Sequence, residues 1–504
     1  MSETLARNAD TWEQDAWQDL EGTSFSVLGL GKSGVAAANA LAARGARVLA
    51  VDDAPEHKLT EQLQQLAPGI EVAVGGGPAG RRGDLFVLSP GIGPHSARFR
   101  DVQTLASGVL GELELFYRLD RGDSGLGVPI AAISGTDGKT TTTLWAGHLL
   151  QQAGYNVTVG GNIGDPMCGF LRQFTPSSVV VAEVSAFQLW TCQKFRPRAA
   201  VVTNIALDHM DYFHNDLDSY VRTKCSVRQQ MGPGDWYAVN GDDTELEEER
   251  AVLQHGVAHG WQVFSTQGVP DRGLGFDGEQ LWWSLGHGQR VALCHVSELG
   301  ADGRFPITGL HNVENALAAS SLALAFGVPL ATLRAGLRSF GLPSHRIEPV
   351  GSIGNVRFYD DSKATNPHAA IAGLRAMSKA NGEKVIWIAG GSEKDSDFAE
   401  LGQVVGELAD AAVLIGQTAE RIAACLPSSF KAERAARMEE AVATALQLCG
   451  DKGAVLLSPA CASYDMFRSY SHRGDVFAGS VAALGKAMGQ FVPAAAATSA
   501  SHPH

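Results

Sequence analysis

The chain has 504 residues, 45% hydrophobic and 19% charged, with a formal net charge of −14. That length exceeds what a single hydrophobic core supports, so about three domains of an ordinary globular protein are expected. The acidic balance argues against a broad polyanion-binding surface, and no apolar run reaches about 18 residues, so neither nucleic acid nor membrane is expected as a partner.

The opening segment MSETLARNADTWEQD lacks a basic start followed by an apolar stretch, so no signal peptide is expected. Seven scattered cysteines without a CxxC pair agree with a reducing, cytoplasmic location. FSVLGL then reads as a short strand, Ser33 to about Arg44 as a helix, and ARVLAVDD as a second strand. Between the first two lies Gly29-Leu30-Gly31-Lys32-Ser33-Gly34, with Asp52 and Asp53 at the next strand end. A GxGxxG turn binds a diphosphate, so an NAD-dependent dehydrogenase is the competing reading of this segment taken alone. LFVLSPG supplies a later strand and carries Gly91, and the Pro/Gly content of RGDSGLGVP marks a boundary. The first domain is expected over residues 1–125.

PIAAIS opens the second unit, expected over residues 126–340. It runs into Ser134-Gly135-Thr136-Asp137-Gly138-Lys139-Thr140-Thr141 and then a helix pattern from Lys139. Glycines allow close backbone approach to phosphate, the helix N-terminus presents free N–H groups, Lys139 can reach terminal phosphates and Thr140 can ligate Mg²⁺. A full P-loop would carry glycine at position 133, where Ile133 stands, so this is the shorter GTxGK[ST] form. SSVVVAEVS and RAAVVTNIAL read as buried parallel strands. They place Glu183 and the Asp208-His209-Asp211 loop at strand ends, and Lys224 follows on a predicted helix. Alone, these three would be a cap or surface carboxylate, a solvated loop and a solvated lysine. Residues 236–304, rich in Gly, Trp and charge, suggest an antiparallel meander.

From Gly341, VRFYD, KVIWIAGG, AAVLIG and AVLLSP alternate with helix patterns, so a third α/β domain with a mostly parallel sheet is expected over residues 341–490. Residues 491–504, rich in Ala, Ser, Pro and His, read as a disordered tail.

The blocks GTDGKT (135–140), GGNIG (160–164), EVSAFQL (183–189), LDHMD (207–211), GLHNVENALAA (309–319), LPSHRIE (342–348), DDSKATNP (360–367) and LLSPACASYDMF (456–467) occur in this order. With them the chain resembles the Mur ligase family over nearly its whole length. The resemblance implies an α/β protein of three domains: a Rossmann-like N-terminal domain, a P-loop ATPase domain and a Rossmann-like C-terminal domain. DSKATN together with SPACAS points to the glutamate-adding branch. The Asp-Asn-Pro-Arg signature of the diaminopimelate-adding branch is not found.

What the resemblance implies is ATP-dependent ligation of D-glutamate to UDP-N-acetylmuramoyl-L-alanine, through an acyl phosphate, in peptidoglycan precursor synthesis. The same ligation with L-glutamate is the alternative. Implied catalytic residues are Lys139, Glu183, His209 and Lys224. ATP would meet Gly135 through Thr141, Asn312, Asn315, Arg346, Asp361 and Lys363. Two Mg²⁺ ions would be held by Thr140, Glu183, His209 and a carbamylated Lys224. The UDP-substrate would meet Lys32, Ser33, Asp52, Asp53, Gly91, Asn162, Ser185 and Gln188. Glutamate would meet Thr365, Lys394, Ser463 and Tyr470, and the enzyme is expected to be a monomer. Three departures from the family pattern are visible. Asp137 stands for the usual Asn, Ala186 for a frequent Ser, and Ser469-Tyr470-Ser471-His472-Arg473-Gly474 for Asn-Phe-Glu-x-Arg-Gly.

Overall fold

The computed structural model describes residues 17–124, 127–206, 212–213, 216–302, 307, 309–341, 344–378, 384–392 and 396–494. His209 and Lys394 lie outside the described residues, as do residues 495–504 of the expected tail. The chain forms two compact units, residues 1–296 with 310–337 and residues 297–309 with 338–504. The first unit contains two separate sheets and the second contains one.

In the first sheet β1 (Ser24–Leu28), β2 (Arg47–Asp52), β3 (Glu71–Val74), β4 (Leu85–Leu88) and β5 (Gly108–Gly111) lie in the order β3-β2-β1-β4-β5. All its pairings are parallel. The order reverses between β1 and β4, which opens a crevice at the strand C-termini where ligands of such sheets bind. The GxGxxG turn sits there because it leaves β1 directly.

The second sheet is built from β6 (Ile130–Ser134), β7 (Asn156–Gly161), β8 (Ser178–Glu183), β9 (Ala199–Val202), β10 (Trp236–Asn240), β11 (Gly260–Ser265), β12 (Arg272–Phe276), β13 (Gln280–Gly286) and β14 (Gln289–His295). Its order is β14-β13-β12-β11-β10-β9-β6-β8-β7. β6, β8 and β9 are buried at every position, as apolar β-branched runs covered on both faces must be. The expected meander is smaller than residues 236–304. β10 and β11 join the parallel part, and only β12–β13–β14 run antiparallel. Tyr237, Val239 and Phe264 are fully buried, so these strands serve the central core rather than a half-exposed ribbon.

The third sheet takes β15 (Glu348–Ile353), β16 (Asn355–Asp360), β17 (Val385–Gly390), β18 (Ala411–Ile415), β19 (Ala432–Arg434), β20 (Lys452–Leu457) and β21 (Phe491–Pro493) in the order β19-β18-β17-β20-β16-β15-β21. β16 with β20, β20 with β17, β17 with β18 and β18 with β19 pair in parallel, and β15 and β21 are antiparallel at one edge. β21 corrects the sequence expectation, since the start of the supposed tail is a strand. Phe491 packs on the Ile353 core and adds an edge strand, just before the Ala/Ser-rich composition begins.

All seven cysteines are free thiols. Among the described residues no helix is long and apolar enough to cross a membrane.

Candidate active site

β6 delivers Ser134 to the turn that precedes the Lys139–Gln152 helix. Gly138 caps that helix at φ +76°, and a Cβ there would fall 2.2 Å from Asn315 Oδ1. At Gly135, φ +131°, a Cβ would fall 2.0 Å from Thr203 Oγ1. Neither position admits a side chain, so the backbone is free to face a ligand. The turn is fixed from behind by the segment after β9. Thr136 N–H donates to Asn204 O (2.8 Å), Asp137 N–H donates to Asn204 Oδ1 (2.8 Å), and Thr203 Oγ1 donates to Asp137 O (2.7 Å). Asn315, on the Leu310–Ala325 helix, accepts from Thr142 Oγ1 (3.1 Å).

Five of the singled-out residues converge here. Lys139 Nζ folds back onto Thr136 O (2.6 Å). Thr140 Oγ1 donates to Glu183 Oε2 (2.8 Å), and Asn162 Nδ2 donates to Glu183 Oε1 (2.9 Å). Lys224 is not a solvated helix residue but is 3% exposed. Its Nζ donates to Gly135 O (2.6 Å) and sits 4.5 Å over the Tyr220 ring. Tyr220 was not legible as a site residue, yet its hydroxyl lies 3.2 Å from Thr136 Oγ1. Hydroxyl, carboxylate and amide oxygens so grouped are the donor set of a hard divalent cation. Asn312 is buried on the same helix as Asn315.

Ser185 and Gln188 are occupied with each other. Ser185 N–H and Oγ both donate to Gln188 Oε1 (3.0 Å each), forming a capping box on the short Ala186–Leu189 helix. In the first sheet Asp52 is likewise engaged: it accepts from Leu30 N–H (2.7 Å) and Ala54 N–H (2.8 Å), locking the GxGxxG turn to the end of β2. Asp53 forms an ion pair with Arg98. Lys32 and Gly91 are exposed and Ser33 is half-buried.

In the second unit Arg346, Asp361, Lys363, Thr365, Ser463 and Tyr470 lie on the segments entering β15 and leaving β16 and β20. Asp361 accepts from Ser458 Oγ (2.7 Å), and burial pushes its carboxyl up to about 7, with Arg346 opposing the rise. Arg346 Nε is buried and has no hydrogen-bond partner among the described residues. His345 Nδ1 contacts Asp360 Oδ2 (2.7 Å), its carbonyl accepts from Lys363 N–H (3.1 Å), and its ring meets Tyr470 edge-on. Lys363 Nζ lies 5.9 Å from the Tyr470 ring centroid.

Sequence reading missed Arg473, which is fully buried. Its guanidinium donates to Ser362 Oγ and O, to Cys461 O and to Ala462 O, joining the DSK and SPACAS segments. The signal was present in the Arg of the departing SYSHRG segment. There Ser469 caps the Tyr470–Ala487 helix by accepting from His472 N–H (3.1 Å), a role asparagine fills equally well.

The chain matches the Mur ligase middle domain over residues 133–323 and the Mur ligase, glutamate ligase domain over residues 345–461. It is 40% identical to the UDP-N-acetylmuramoylalanine–D-glutamate ligase of Pelotomaculum thermopropionicum, over 93% of this chain and 99% of that protein. Among solved structures, the UDP-N-acetylmuramate-alanine ligase of Thermotoga maritima superimposes with a TM-score of 0.54 at 18% identity, covering 92% of this chain and 99% of that one. The MurF ligase of the same organism, in complex with ADP, gives 0.52 at 17% identity over 81% and 96%. At such identities the two structures speak for the fold, while the long 40% alignment and the two domain matches speak for kinship: the chain belongs to the Mur ligase family.

Proposed function

We propose that this protein joins D-glutamate to UDP-N-acetylmuramoyl-L-alanine at the expense of ATP, in peptidoglycan precursor synthesis. The observation that carries the reading is the set Lys139, Thr140, Glu183 and Lys224 gathered on one glycine-framed turn. A carboxylate is a poor acyl donor. Transfer of the γ-phosphoryl group to the alanyl carboxylate would give an acyl phosphate and ADP. The glutamate amine, deprotonated, would then attack the carbonyl carbon and expel phosphate.

The turn's N–H groups and Lys139 would hold the phosphates. Thr140 and Glu183 fit a magnesium ion, with His209 and a carbamylated Lys224 as the further ligands in this reading. Bound there, magnesium would spread charge over the transferring group. Arg346, whose buried Nε lacks a partner, suits a phosphate oxygen, with Asp361 and Lys363 beside it. Asn312 and Asn315 would flank the nucleotide. Thr365, Lys394, Ser463 and Tyr470 would receive glutamate. Lys32, Ser33, Asp53 and Gly91 would line the UDP path, with Asp52, Ser185 and Gln188 shaping it through the bonds they already make. Domains over 1–125, 126–340 and 341–490, a monomeric state and a cytoplasmic location belong to the same reading.

One assay tests it: purified protein with ATP, Mg²⁺ and UDP-N-acetylmuramoyl-L-alanine, each glutamate enantiomer supplied separately. Product with D-glutamate alone is expected. Product with L-glutamate alone would overturn the stereochemistry, and product only with another amino acid would overturn the glutamate assignment.

A further inference from the structure

We propose that Asn204, oriented by Glu314, is the positioning residue that sets the phosphate-binding turn. This rests on the reading of that turn as the ATP site. The Asn204 side chain engages both backbone polar groups of one residue, Asp137. Its Oδ1 accepts from Asp137 N–H (2.8 Å), and its Nδ2 faces Asp137 O (3.3 Å). Its own carbonyl takes Thr136 N–H (2.8 Å). A flipped amide would set donor against donor at Asp137 N–H, so the orientation is fixed.

The same Nδ2 donates to Glu314 Oε1 (3.3 Å) on the Leu310–Ala325 helix, 110 positions away. Glu314 ties that helix to the turn from one side while Asn315, its neighbour, presses on Gly138 from the other. The groups facing Glu314 are Asn204 and the carboxylates of Asp242, Asp243 and Asp137. Burial, with those three acids adding, raises the Glu314 carboxyl to about 7. A carboxyl raised to about 7 accepts from Asn204 while setting less than a full negative charge beside phosphates. Asp137 fits the same picture. Its side chain is exposed and its backbone is what Asn204 and Thr203 hold, so a carboxylate can stand where asparagine is usual.

The test is titration of the full chain with Mg-ADP, alongside steady-state kinetics. Asn204→Ala is expected to weaken Mg-ADP binding and raise the KM for ATP about tenfold, the loss of two modest hydrogen bonds. Its kcat should fall less, and the KM for the UDP-substrate should stay put. Glu314→Ala should weaken ADP about threefold, and Glu314→Gln, which keeps a neutral acceptor, should restore most of that loss. Asn204→Asp, isosteric and so a second route if the alanine variant folds poorly, should match the loss, because a carboxylate repels Asp137 O. Unchanged ADP affinity in both Asn204 variants would overturn the proposal, as would equal damage from Glu314→Gln and Glu314→Ala. Lys139→Ala separates the two levels of inference. If wild type and Lys139→Ala bind Mg-ADP alike, the ATP reading itself falls; if only Lys139→Ala loses ADP, the clamp alone falls.

Discussion

Replacing Arg473 should unseat the second unit's site. The guanidinium is fully buried and makes four hydrogen bonds, at 2.9 Å to Ser362 Oγ, 2.8 Å to Ser362 O, 2.9 Å to Cys461 O and 3.3 Å to Ala462 O. Burial draws its pKa down to about 10, so it stays charged at neutral pH. Alanine would remove a donor from three carbonyls and a hydroxyl, Ala462 O keeping the Ser392 N–H as its remaining donor, and would leave a cavity. At about 1 kcal/mol per stranded acceptor plus the lost packing, the cost is about 3–5 kcal/mol. Lysine keeps the charge but not the fork, and one ammonium cannot span acceptors on both segments, so about 2 kcal/mol is expected. Urea denaturation gives the global value, and amide exchange localises it. Protection should fall first in peptides covering residues 360–364 and 458–464, while those covering β6 and β8 keep theirs. An Arg473→Lys protein within about 0.5 kcal/mol of wild type, with unchanged exchange, would refute the clamp described for this residue.

Two more outcomes follow from the geometry of the first unit. Gly138→Ala forces a side chain into a left-handed backbone and against Asn315 Oδ1. It should cost on the order of 1–2 kcal/mol and abolish measurable Mg-ADP binding, and retained binding would mean the turn is not read by its backbone. Glu112 is 3% exposed, accepts from Cys168 N–H (2.6 Å), and is pushed up to about 7 by burial. The native state therefore holds a proton the unfolded chain has released. This contribution is complete below pH 4.5 and lost as pH rises through about 7. Between pH 5.5 and pH 8.5 the wild type should lose about 2 kcal/mol more stability than Glu112→Gln, and parallel pH profiles of their denaturation midpoints would contradict this.

The elements that sequence announced are those whose signal is local. The buried runs of β6, β8 and β9 and the glycine turns declare themselves within a dozen positions. What escaped is long-range. Asn204 meets Glu314 across 110 positions, Arg473 meets Ser362 across 111, and neither separation leaves a periodic trace. β21 hid because three residues before a low-complexity stretch carry no alternation to read. Lys139, Thr140, Asn162, Glu183 and Lys224, named from separate sequence blocks, lie around one turn, but other named residues are already engaged. Asp52, Ser185 and Gln188 turned out to be spending their polar atoms on backbone and on each other. A residue's type predicts what it can bond, whereas only its surroundings decide what it has bonded already.

Lys139 and Lys224 rest on consecutive carbonyls of the same turn, those of Thr136 and Gly135. The loop thereby supplies its own counter-ligands. With both carbonyl oxygens held by lysine nitrogens, and the N–H ends of the same two peptides held by Asn204, this part of the turn is fixed by folding. In the proposed ATP reading an arriving phosphate would take part in an exchange, Lys139 trading a neutral carbonyl for an anionic oxygen. The enthalpy from Lys139 would then be the difference between two hydrogen bonds, not the whole of one. The same exchange run backwards would return the lysine to its carbonyl as the product departs, so that no ammonium would be left stranded on release of the nucleotide.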